Sequence, residues 1–181
     1  MKTHTMRTRT IRTMTVLVLA MAIALAVHAQ QKPTPTAPTE DHSAMMKRGD
    51  QAMGFSQERT THHFRLLKDG GAIEVAANDL KDTASRDEIR QHLSHITQMF
   101  AAGNFNVPML IHDTTPPGVP TMKKLRDQIH YVFQETDSGA RVRINTTNPQ
   151  ALEAVHAFLR FQITEHETGD TTEVTDGNPK E

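Results

Sequence analysis

The sequence predicts an α+β fold in which two ββα units form a four-stranded, mostly antiparallel sheet with two long helices on one face. Three observations carry this expectation. Thr60 to Leu67 alternates residues of unlike character, Lys68-Asp69-Gly70-Gly71 supplies a turn, and Ala72 to Ala76 sets Ile73 and Val75 on one face, which together make a hairpin. Ser85 with Glu88 three residues on reads as a capping box, and Ile89, Leu93, Ile96 and Phe100 then recur at helical spacing until Gly103, so a helix is expected over about 85–102. The same order then returns. Ile129 to Gln134, a turn at Asp137-Ser138-Gly139 and a strand holding Val142 and Ile144 make a second hairpin. Asn148 as N-cap with Pro149 at the first helical position opens a helix carrying Leu152, His156, Leu159 and Ile163.

Between the units, Asn104 to Val119 reads as a loop stiffened by Pro108, Pro116 and Pro117, and Pro120 to Arg126 as a short helix. Each hairpin has one apolar face and each long helix one apolar stripe, and neither can bury it alone. Stacking both helices on one side of a single sheet satisfies all four. The opposite sheet face would carry Arg141 and Arg143, covered by the middle loop or by a second subunit.

The ends of the chain read differently. Lys2, Arg7, Arg9 and Arg12 precede an apolar run, Val16 to Val27, and Val27-His28-Ala29 has the small-residue form of a cleavage site. The run is about a dozen residues long, short of the roughly 18 that a membrane span needs. Residues 1–29 are therefore expected to be a cleavable signal peptide, with cleavage near Ala29, a periplasmic or secreted product, and no membrane attachment afterwards. Residues 30–52 are rich in Pro, Thr and polar groups and read as a disordered spacer, 53–168 as a single α+β domain, and 169–181 as a disordered acidic tail.

Composition narrows the function. The chain has 20 basic and 21 acidic residues; four of the basic and none of the acidic lie in 1–29, so the remainder carries about −5 with neutral histidines. No basic stripe is left to neutralise phosphates, and a nucleic-acid partner is not expected. With no cysteine, neither a disulfide nor a lipid-modified cysteine can form. There is also no G-x-S-x-G elbow, no H-E-x-x-H and no glycine-rich phosphate loop, so a catalytic role is not the leading expectation.

What stands out is histidine. Of eleven, nine lie beyond residue 29, and imidazole is both the commonest transition-metal ligand and the side chain that titrates near neutral pH. His92 and His95 share one helix flank that Met99 continues a turn later, a mixed nitrogen and thioether donor set suited to copper. Further ligands would come from His62 or His63 on the first strand and His112 in the middle loop. The candidate metal site is thus His62, His63, His92, His95, His112 and Met99, for copper or zinc. His62 alternates with Phe64 and Leu66 and points to the core, whereas His63 shares the other face with Arg65. His156 falls in an apolar stripe and reads as a hydrogen-bonded core residue; His130 and His166 carry little signal as individual candidates. His42 with Met45, Met46 and Met53 offers a weaker soft-metal set. Two other functions fit the same sequence: an interaction module that binds an exported protein or a second copy through its sheet face or edge, and a small hydrolase or transferase using His112 and Asp113.

Several segments carry a family resemblance: Met53-Gly54-Phe55, Thr60-Thr61-His62-His63-Phe64, His92-Leu93-Ser94-His95-Ile96, Gly103-Asn104-Phe105, Pro116-Pro117-Gly118-Val119-Pro120 and His166-Glu167-Thr168-Gly169-Asp170. Together they resemble a family of small exported bacterial proteins of unknown function, over nearly the whole expected domain. The resemblance implies a compartment and a grouping of histidines. An aspartate carbamoyltransferase label borne by some members does not transfer, because that enzyme's Ser-Thr-Arg-Thr-Arg loop and His-Pro-x-Gln signature are missing and the chain is too short for its two domains.

Overall fold

A computed structural model describes residues 40–176, so the expected signal segment and the start of the expected spacer lie outside the described residues. Strands β1 (Thr60–Leu67), β2 (Gly70–Ala77), β3 (His130–Glu135) and β4 (Gly139–Asn145) form one sheet in the order β1-β2-β4-β3. Every neighbouring pair is antiparallel. The helices are α1 (Glu40–Met53), α2 (Thr83–Ala101), α3 (Asn106–His112), α4 (Val119–Lys124) and α5 (Pro149–Glu165). The two expected ββα units are therefore present, joined edge to edge through β2 and β4.

Strand alternation decides what faces the helices. On β1 the inward residues are His62, Phe64 and Leu66, and the register aligns Phe64 with Ile73, Ile73 with Val142 and Val142 with Phe133. The helices then cross over. α2, which follows the first hairpin, packs chiefly on β3 and β4, and α5, which follows the second, packs on β1 and β2. Neither unit can close its core without the other. At the centre Phe100 of α2, Phe105 and Phe158 of α5 are at most 2 % exposed, with ring centroids 4.4 Å apart for Phe100–Phe105 and 5.9 Å for Phe100–Phe158. Burial of each contributes about 1.5–3 kcal/mol before the aromatic geometry is counted. Tyr131 of β3 meets Phe100 edge-on at 5.9 Å.

Four local expectations are corrected. The spacer reading fails over α1, where Met45 and Met53 sit at helical spacing, 4 % and 8 % exposed, within the core. The α2 cap is Asp82, whose carboxylate accepts from the Ser85 amide, so Ser85 is a buried residue inside the helix. The middle loop contains α3, since Pro108 lies in its first turn, where no amide partner is lost. This middle segment packs on the helix layer, α3 on α1 and α4 on α5. The tail reading also changes. Thr175 bridges to Leu67 in parallel, and its amide donates to the Leu66 carbonyl at 2.9 Å, so residues up to 176 are laid along the free edge of β1.

The outer sheet face is polar. Glu74 forms ion pairs with Arg141, whose Nε is 2.8 Å away, and with Arg65, whose Nε is 3.8 Å away, and Arg143 pairs with Asp69 at 2.5 Å. The Arg143–Asp69 pair, with Asp69 exposed, contributes about 0–1 kcal/mol, whereas Glu74 is partly covered between its two arginines. His156 is the core histidine its stripe suggests, with Nε2 2.9 Å from the carbonyls of both Leu67 and Gly70 at the first hairpin turn.

The Pro-Pro-Gly-Val-Pro segment has a steric cause. Gly118 has φ 83°, and a Cβ there would lie 2.0 Å from the Ala154 carbonyl oxygen of α5. Gly118→Ala is expected to lower stability by about 2 kcal/mol or more in urea denaturation, through both the left-handed backbone and the clash.

Candidate functional site

Four elements each deliver one histidine to the same cavity. β1 turns His62 inward by alternation, and α2 presents His92 one residue before the core residue Leu93. α3 ends on His112, where Asp113 leaves the helix in the left-handed conformation (φ 51°). His166 caps the C-terminus of α5, its amide donating to Gln162 O. The cavity has a volume of about 60 Å³, and the rest of its wall is mainly apolar, with Met53, Phe64, Ile73, Val75, Ile111 and Phe158 among its residues. That is space for a few water-sized groups.

The imidazoles are stacked into the wall. His166 lies parallel to His62 at 5.7 Å with an interplanar angle of 8°, and His112 meets His166 edge-on at 5.1 Å. Phe55 stacks on His62 at 6.0 Å and meets His92 edge-on at 5.7 Å. Gln162 Oε1 is 3.2 Å from His112 Nε2. With that oxygen as acceptor, Nε2 carries the hydrogen and Nδ1 keeps the lone pair. His112 Nδ1 and His62 Nε2 are both buried without a hydrogen-bond partner, as is the Gln162 amide nitrogen. An unsatisfied buried polar group costs about 1–3 kcal/mol, and these three belong to side chains that line the cavity.

Burial holds these rings uncharged. Desolvation, reinforced by His92 and His63 and opposed by Asp50, lowers His62 from 6.5 to about 4. Desolvation with His95 nearby lowers His92 to about 4, and desolvation with His62, His112 and His42 lowers His166 to about 3. His112 is also lowered by desolvation, against the opposing pull of Gln162 and Glu165. A base titrating near 3 or 4 is a weak proton acceptor at pH 7, whereas an uncharged imidazole is the form that binds metals.

The six residues expected to form one site are divided. His62, His92 and His112 line the cavity. His63, one residue along β1, is on the opposite sheet face, with Nδ1 2.9 Å from Asp170 Oδ1. His95 shares the flank of His92 but is exposed one turn further along α2, in a surface hollow with Glu88, Gln98 and the outer edge of His92, and it does not line the cavity. Met99 packs against the core, and the methionine that lines the cavity is Met53. The unexpected member is His166. It continues the Leu159 and Ile163 stripe by three residues, a signal present in the sequence. The carboxylate facing His112 is Glu165 at 3.9 Å, while Asp113 is exposed. Among the described residues no group of three or more His, Asp and Glu is placed so that it could hold a metal ion.

Compared with known families, curated proteins and solved structures, the chain matches none.

A pH dependence follows from the buried rings. Unfolded histidines take up protons below about 6.5, while His62, His92 and His166 do so in the folded state only near 4, 4 and 3. The unfolded state binds more protons in that window, so stability falls as pH drops from about 6.5 towards 4. Urea midpoints measured from pH 7 to 4 should show this decline, and His166→Leu should flatten it; an unchanged slope in the variant would contradict the assignment.

Proposed function

We propose that this protein binds a transition metal ion, copper or zinc, at His62, His112 and His166, with His92 and the Met53 thioether beside them. One observation carries the reading: imidazoles from four separate elements line a single cavity, held uncharged, and two of them have buried nitrogens with no partner. Low proton affinity reduces competition from protons, and a metal ion would satisfy both lone pairs. His62 and His166 are stacked face to face, so loading turns their rings out of the stack and aims nitrogen at the ion. Without cysteine, nitrogen and thioether are the soft donors this chain can offer, a set that suits copper and, through imidazole alone, zinc.

On the same reading the protein works outside the cytoplasm, in the periplasm or beyond, after cleavage near Ala29. Among the described residues no helix is long and apolar enough to cross a membrane. A second reading is favoured by the wall itself, which is mostly apolar: the cavity takes a small uncharged molecule whose polar end bonds to the imidazoles.

Calorimetric titration of residues 30–181 with Cu(II), Cu(I) and Zn(II) at pH 7 separates these readings. The expected result is one site per chain that His62→Ala or His166→Ala weakens at least tenfold and His95→Ala changes less than twofold. Equal affinity in all four proteins would place the binding on exposed histidines and overturn the proposal.

A further inference from the structure

The segment that follows α5 wraps the edge of β1. His166 packs on the inward side of that strand, against His62 and Phe64 at ring-centroid distances of 5.7 and 5.6 Å. Four residues later Asp170 is on the edge and outer side, its side chain 6 % exposed. Its carboxylate accepts from the Phe64 amide at 2.9 Å, from His63 Nδ1 at 2.9 Å and from Thr168 Oγ1 at 2.8 Å, with Arg65 3.6 Å away. The reversal between the two is made by Glu167 at φ 49° and Gly169 at φ 72°. Beyond it, Arg160 Nε of α5 donates to the Thr172 carbonyl at 3.0 Å, and the Thr175 amide and hydroxyl both reach the Leu66 carbonyl.

This attachment differs in kind from the rest of the fold. Residues 171–176 are exposed, and Val174, their one large apolar side chain, is 40 % exposed. A few hydrogen bonds hold the segment, with little apolar burial. Such segments open at a lower free energy than the body they lie on. His166, where the segment begins, is a wall of the cavity, so an opening that runs back from residues 171–176 to His166 unroofs His62 and leaves β1 to β4 paired.

We infer that residues 166–176 form a clasp that gates the cavity, with Asp170 as the latch that positions His166 over His62. As the gate of a metal or ligand site this rests on the proposed function; as a local opening motion it does not. The clasp exchanges between a closed state, in which Asp170 grips the Phe64 amide and His63, and an open one, in which both are released together with His166.

Acylation of histidine by diethyl pyrocarbonate at pH 7, mapped by mass spectrometry on the full chain, reads the motion without any metal. Asp170→Ala should raise the modification rates of His62 and His166 at least tenfold. Asp170→Asn, which keeps an acceptor for the Phe64 amide, should fall between the two. Arg160→Ala loosens the clasp from the other end and should raise the same two rates severalfold, which covers the case in which Asp170→Ala folds poorly. His156, bonded beneath α5 to the first hairpin turn, serves as the internal reference and should not change. Unchanged His62 and His166 rates in all variants, or a parallel rise at His156, would overturn the clasp. A wild-type chain that takes no metal yet shows the selective acylation pattern would remove the proposed function and leave the clasp standing.

Discussion

The β2–β4 pairing is the constraint on which the rest depends. It makes one sheet of two hairpins that could not persist separately, and the seven-pair register from Gly70–Asn145 to Ala76–Gly139 fixes the inward set on all four strands. A slip of one residue in this pairing would turn the β1–β2 hairpin over relative to β3–β4, sending Ile73 to the solvent face while Val142 stayed inward and carrying the whole pattern of β1 with it. His62 would then face water together with Phe64, and His63 and Arg65 would face the helices. The position of the cavity is therefore a consequence of strand register, and the helices that close it follow, since each long helix finds its apolar partner on the other unit's hairpin.

Within that frame the imidazole cluster is costly to maintain. Polar rings occupy positions that apolar side chains could fill, and their nitrogens are incompletely bonded. Structural histidines are satisfied differently: His156 has two carbonyl oxygens within 2.9 Å of one nitrogen. The contrast between His156 and His62 is the strongest internal argument that the cavity is for binding. Both are buried on the helix side of the sheet; one is satisfied by its own fold and the other is left open.

The elements built on hydrophobic periodicity were legible in the sequence. The hairpins, α2, α5 and the inward face of β1 all follow from apolar spacing, and the Asn148-Pro149 start of α5 from capping chemistry. The parts that escaped do not use that signal strongly. α1 shows its stripe only through Met45 and Met53, with Gly49 between them, in a stretch that is otherwise polar and follows a run of prolines and threonines. The clasp is held by hydrogen bonds that Asp170 accepts and Thr175 donates, which leave no periodicity to detect. For the site, composition identified the residue type, and alternation correctly parted His62 from His63. Which histidines from distant segments would meet depends on helix crossing and on the turn after α5, and that is tertiary information.

The place of Tyr131 gives the molecule a built-in optical reporter. With one tyrosine and no tryptophan, the chain's intrinsic ultraviolet emission comes from β3, on the sheet edge opposite the clasp. The phenol is enclosed beside Phe100, its hydroxyl without a partner and its ionisation pushed up by burial. Its emission therefore follows the integrity of the core, while events along β1 at the far edge pass unseen. Whole-molecule unfolding and motion at the histidine cavity can thus be watched as separate signals in the native sequence, with no label attached.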